Sequence, residues 1–176
     1  MSAKYKSPSF LLPNELNTST NPSLSEDRAS NYSMDFDGSS QYIDVNYSLN
    51  GINSITYSAW IRPEQPSGNY GYIIAAGNYV PGYTMFSIGV RHDGSGNDRK
   101  LFLYAGTGGI INSNFQFTYG NWYHVTVVLT NSQDVDFYVN GNPQGSYTTP
   151  SPIVIAASSP TKIGVYSSSL YSYFKG

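Results

Sequence analysis

The sequence predicts an all-β domain of two packed antiparallel sheets, carried behind an extended polar arm. Three observations point there. Apolar and polar residues alternate with period two over many short runs, the pattern of strands with one core face and one wet face. The runs recur every about 10–15 residues with Gly, Pro and Asn between them, which is the rhythm of a sandwich. No segment repeats its apolar residues at the period of a helix.

Residues 1–30 form the arm and 31–176 the domain. In the arm Pro8, Pro13 and Pro22 break any helix, and Asn17 to Ser23 lacks a hydrophobic period. One apolar cluster stands there, Phe10, Leu11 and Leu12. Two readings stay open: a disordered tail, or an arm that docks this cluster on a neighbouring chain.

The first strand signal is Tyr32, Met34 and Phe36 alternating with Ser33 and Asp35, closed by an Asp37-Gly38 turn. Tyr42 to Val45 follows. Ile55, Tyr57, Ala59 and Ile61 then alternate with Thr56, Ser58 and Trp60 until Pro63 stops the run. Short apolar strands are expected at Tyr72–Ala76, Thr84–Val90, Leu101–Ala105 and Ile110–Ile111. Trp122–Leu129 is rich in β-branched residues, which favour strands. Val135, Phe137 and Val139 alternate with Asp136 and Tyr138 and end at Asn140-Gly141, a strong hairpin signal because both residues tolerate positive φ. Ile153–Ala156 and Lys162–Val165 complete the series. Trp60 and Trp122 are expected to serve core or sheet packing.

Composition narrows the function. Only 11% of residues are charged against 15% aromatic, and the net charge is -2, so no basic footprint for nucleic acid is present. The chain has no cysteine, which removes disulfide scaffolds, thiolate metal sites and cysteine nucleophiles. No apolar run reaches the ~20 residues of a membrane-spanning helix. Lys4 and Lys6 precede only Phe10-Leu11-Leu12, too short for a secretion signal.

Five motifs in order then carry a resemblance over residues 31–176. They are Met34-Asp35-Phe36-Asp37-Gly38 with Tyr42-Ile43-Asp44-Val45, Tyr57-Ser58-Ala59-Trp60-Ile61-Arg62-Pro63, Asn121-Trp122-Tyr123-His124-Val125, Phe137-Tyr138-Val139-Asn140-Gly141, and Lys162-Ile163-Gly164. Together they resemble the laminin-G-like, concanavalin A-like jelly-roll domain. A softer resemblance, of arm plus domain, is to structural proteins of marine bacteriophages. The resemblances imply a non-catalytic virion structural or adhesion protein: a capsid decoration, fibre or tail appendage. Its partners would be copies of itself or other virion proteins, and its location the virion or the extracellular space. The alternative is a lectin-like module that binds cell-surface glycans, with calcium optional and no other cofactor. Such domains usually follow the motif seen at Phe174-Lys175-Gly176 with one more strand, pairing near the first. Its absence would leave Ser33, Met34, Asp35 and Phe36 as an open edge for a partner's strand, or else the chain is cut short of its natural end.

Candidate chemistry is sparse. Glucanases of this fold use paired carboxylates on one strand, but Glu15 and Glu26 lie in the arm and Glu64 follows Pro63. Asp134 and Asp136 share a strand face and read as the wet side of a hairpin. His124 is expected to make one structural hydrogen bond, and His92 to be exposed in the Arg91–Arg99 loop. The Asp93–Asp98 loop departs from a calcium loop, with Asp98 where glycine is needed and Tyr104 at the place of the bidentate Glu. The resemblance leaves Asp37, Asp44 and Asp93 as rim carboxylates for calcium. Of the 17 tyrosines, Tyr70, Tyr72, Tyr79 and Tyr83 cluster, and their flat faces with polar tips suit a glycan or partner contact.

Overall fold

The computed structural model describes residues 33–45, 47, 49, 51–66, 68–76, 86–105, 109–153, 161–166 and 172–176. Phe10, Leu11, Leu12, Tyr79 and Tyr83 lie outside them. Contacts divide the chain between Asp35 and Phe36, and the sandwich belongs to the second unit.

Among the described residues there are ten strands: β1 (Ile43–Val45), β2 (Ile55–Ile61), β3 (Tyr70–Ala76), β4 (Phe86–Arg91), β5 (Lys100–Tyr104), β6 (Ile110–Gln116), β7 (Tyr123–Thr130), β8 (Asp134–Val139), β9 (Asn142–Thr148) and β10 (Thr161–Ile163). They form a six-stranded sheet, ordered β1-β10-β3-β4-β5-β6, and a four-stranded sheet, ordered β2-β7-β8-β9. Every strand pairing is antiparallel. The architecture is the predicted all-β jelly-roll sandwich.

The period-two patterns place the core. Ile55, Tyr57, Ala59 and Ile61 of β2, Tyr123, Val125, Val127 and Leu129 of β7, and Val135, Phe137 and Val139 of β8 face inward. They meet Phe86, Ile88, Val90, Leu101 and Leu103 of the larger sheet, all buried. Removing a ring such as that of Phe137, fully buried here, would cost about 3–5 kcal/mol.

Turn chemistry fixes the register of the smaller sheet. Asn140 and Gly141 take φ of 51° and 77°, so the β8–β9 connection is the tight hairpin expected from its dipeptide. That hairpin carries β9 through Asn142-Pro143-Gln144-Gly145, residues without strand signal. Likewise β6 continues past Ile111 through Asn112, Ser113 and Asn114 because β5 offers a ladder to pair with.

The domain's first and last segments meet. The Phe36 amide donates to the Gly176 carbonyl at 3.0 Å, the Gly176 amide returns a bond to Phe36 O at 3.2 Å, and Asp37 bridges Lys175. Phe36, expected on an open edge, is therefore engaged by this chain's own residues. Ser33, Met34 and Asp35 are exposed and lie outside the strands.

Candidate functional site

The outer face of the four-stranded sheet follows from the same alternation that builds the core. With Ala59 and Ile61 turned inward, Ser58 and Trp60 must turn outward; with Tyr123 and Val125 inward, His124 and Thr126 turn outward. Trp60 is 67% exposed and Trp122, just before β7, is 50% exposed. Neither tryptophan packs into the core, which corrects that half of the expectation; Trp60 packs on the sheet surface instead.

The surroundings hold this patch in place. Trp60 and His124 are cross-strand partners, their rings 5.3 Å apart and inclined at 48°. His124 Nε2 lies 2.7 Å from Ser58 Oγ, and Thr126 Oγ1 donates to that same oxygen at 3.4 Å. The His124 amide donates to Asn140 Oδ1 at 2.9 Å, and the Asn140 amide to His124 O at 2.7 Å. The single hydrogen bond expected of His124 is thus the Ser58 contact, and it fixes the ring against Trp60. Arg62 continues β2 beyond Trp60 and donates from Nε to Gly120 O at 2.8 Å.

Of the tyrosine cluster, Tyr70 and Tyr72 are described, and they sit elsewhere. Tyr70 and Tyr72 lie on the outer face of the six-stranded sheet, where Tyr72 packs edge-on to Phe102 at 5.1 Å and against Tyr166 at 5.0 Å. Tyr72, Phe102 and Tyr166 are buried. Tyr70 is half-buried, 5.4 Å from Phe102, with the Arg91 guanidinium 5.8 Å over its ring. Tyr72 is thus packing, and Tyr70 is the more accessible of the two.

The candidate calcium carboxylates are occupied by the protein itself. Asp37 Oδ1 accepts from the amides of Ser39 and Ser40 at 2.8 Å and of Gln41 at 3.2 Å, and Oδ2 accepts from the Ser40 hydroxyl at 2.7 Å. The Ser40 hydroxyl and amide, then the Ser39 amide, hold this carboxyl well below the usual carboxylate range. Asp44 pairs with Lys162, whose ammonium also lies over the Tyr42 ring. Asp93 accepts from the amide and hydroxyl of Ser95 and from Arg91 Nε at 2.5 Å. Burial alone would raise its pKa, but these bonds outweigh it and the net shift is downward. Asp98 Oδ1 accepts from the Gly94 amide. Among the described residues, no group of three or more His, Asp or Glu is placed to hold a metal.

His92 is not an exposed loop residue. Its Nδ1 is 2.7 Å from Tyr119 Oη, the rings lie 5.6 Å apart, and a Cβ on Gly71 would come within 3.2 Å of its Nε2. Burial lowers its pKa to about 4, against the pull of Asp98 and Asp93. It is therefore a neutral structural group at ordinary pH.

Glu64 faces Arg62 at 3.6 Å and Lys175 at 3.9 Å. Asp134 accepts the Thr148 hydroxyl at 2.7 Å on the wet side of the β8–β9 hairpin. Among the described residues no helix is long and apolar enough to cross a membrane.

A laminin G profile of the concanavalin A-like lectin/glucanases superfamily matches residues 37–176. The chain belongs to this superfamily. Solved members of similar fold include domain 4 of an extracellular arabinanase from Geobacillus stearothermophilus in complex with arabinotriose, at 22% identity and a TM-score of 0.52 over 73% of this chain. Domains LG4-5 of the mouse laminin α1 chain match at 13% identity and 0.55 over 78%, and the LG1-3 region of the laminin α2 chain at 15% and 0.57 over 74%. This chain spans 58%, 36% and 25% of those three. At such identities the likeness is one of fold. No curated protein matches by sequence.

Proposed function

We propose that this concanavalin A-like domain is a non-catalytic recognition module that binds carbohydrate on the Trp60–Trp122–His124 face, working outside a cell or on a particle surface. The observation that carries this is the exposure of both tryptophans, with Trp60 beside a fixed imidazole and short hydroxyl side chains. Indole faces stack on the apolar faces of sugar rings, and Ser58, Thr126 and Asn140 supply hydrogen-bonding groups for sugar hydroxyls. The arabinanase domain solved with arabinotriose supports the reading by fold alone. The test uses a convenient fact: the chain has only 2 tryptophans, and both are exposed. Intrinsic fluorescence titrated with a glycan panel therefore reports on the face directly. Saturable quenching or a blue shift is expected with a binding glycan, and a flat response across the panel would refute the reading.

A second reading, assembly in a virion, is favoured by Met34, 44% exposed ahead of the Phe36–Gly176 pairing. In it Ser33, Met34 and Asp35 and the Phe10-Leu11-Leu12 cluster contact copies of the chain or other virion proteins. Light scattering on the full chain beside a form lacking residues 1–30 tests this. An oligomer that falls to monomers on truncation is the expected result, and a monomer in both forms would refute it.

A further inference from the structure

Resting on the carbohydrate reading, we infer that the Trp60–Trp122–His124 face takes the interior of a neutral polysaccharide chain, without metal and without regard to the chain's ends. Three observations carry this. The first is shape. Beside Trp60 the outward side chains of β2 and β7 are short, Thr56, Ser58 and Thr126, and the large outward residue of β8, Tyr138, stands across from Thr126 on the side away from the β2 edge. A face open along its β2 side can lay a ring against an indole but does not enclose a terminus. The second is position. β2 is the edge strand of its sheet, so Trp60 lies at a rim over which a long chain can run on.

The third is charge. Around Trp60 and His124 the outward positions of β2 and β7 are Thr56, Ser58, Thr126 and Val128, all uncharged. On the strands of the face the nearest carboxylate is Asp136, which pairs with Val128, four residues from His124 or about 13 Å along the sheet. The Arg62 guanidinium is turned to Gly120 O and Glu64, and Lys175 faces the same Glu64 carboxylate, so both cations are already matched to a carboxylate. Such a surface offers an anionic glycan no paired cations and offers a calcium-bridged glycan no ligand set. It suits an uncharged polymer held by stacking and neutral hydrogen bonds.

The experiment is affinity electrophoresis and pull-down of the full chain on neutral polysaccharides (arabinan, xylan, mannan, β-glucan) and anionic ones (polygalacturonate, alginate, heparin), followed by titration with oligosaccharides of the best neutral binder. Neutral polymer should retard the protein. Affinity should rise from disaccharide to hexasaccharide, and borohydride reduction of the chain ends should leave it unchanged. High salt and EDTA should alter the dissociation constant by less than about twofold. Trp60→Ala and Trp122→Ala should each weaken binding about tenfold, with circular dichroism unchanged because both rings are largely solvated. Trp60→Tyr should recover part of the loss. Tight binding of a monosaccharide, loss on end reduction, or binding confined to anionic polymers or to calcium would overturn this inference and leave the carbohydrate reading standing. Binding untouched by either tryptophan variant, or none to any glycan, would overturn both.

Discussion

Gly89→Ala is the sharpest test of how the larger sheet is packed. A Cβ at Gly89 would sit 2.4 Å from the Gly71 carbonyl oxygen and 2.7 Å from the Phe102 ring. The oxygen is strand backbone, in the β3–β4 ladder where Gly71 pairs Val90 and Tyr72 pairs Gly89. The ring is fully buried against Tyr70 and Tyr72. Neither can move like the end of a flexible side chain, so the methyl must spread β3 from β4 or displace the ring cluster. Overpacking of this kind costs about 1–3 kcal/mol, and two rigid neighbours place it near ~3. A domain of this size melts with an entropy near ~0.3 kcal/mol/K, so the midpoint should fall by roughly 10 °C. Differential scanning calorimetry at neutral pH measures it. A fall below about 2 °C would refute the reasoning. It would mean that Phe102 has room to move, and that the Tyr70–Tyr72 face is loose enough to admit a ligand.

Other perturbations follow from single groups. His92 is lowered to about 4 by burial, so the unfolded chain binds the extra proton first as pH falls from about 6.5. The stability this group contributes is whole above that pH and drains away toward pH 4, by at most about 3 kcal/mol. Urea midpoints at several pH values should show the slope, and His92→Phe should flatten it. The Tyr57 hydroxyl is buried with no hydrogen-bond partner among the described residues, and burial pushes its phenol well above the usual range. Tyr57→Phe should therefore be neutral or stabilising by up to about 1 kcal/mol in urea unfolding. Ser132 holds a φ of 61° in the β7–β8 turn, so Ser132→Gly should raise stability by about 0.5–1 kcal/mol on the same assay.

The sequence was most legible where a strand has one wet face and ends in a turn residue of special geometry. β2, β7 and β8 and the Asn140-Gly141 hairpin follow from alternation and positive φ alone. β6 and β9 were hard because Asn112-Ser113-Asn114 and Asn142-Pro143-Gln144-Gly145 carry turn composition, and only a neighbouring ladder makes them strands. The candidate site was half visible. The alternation through Tyr57, Ala59 and Ile61 already turned Trp60 to the wet side, and that period is the signal that would have found it. Residue type, which associates tryptophan with the interior, argued the other way and lost. The Tyr119 contact that buries His92 spans 27 positions, a pairing that no local pattern contains.

The Phe36–Gly176 pairing has a consequence for engineering. Two mutual backbone hydrogen bonds hold these residues side by side, so a linker of a few residues could close the domain into a ring with little loop entropy to overcome. New ends could then be opened at Asn140-Gly141, whose tip is exposed. Such a circular permutant would move its points of attachment to the β8–β9 turn, where Asn140 meets the His124 backbone beside the aromatic face. The domain could then be grafted by either end, and the direction in which it presents its aromatic face could be chosen.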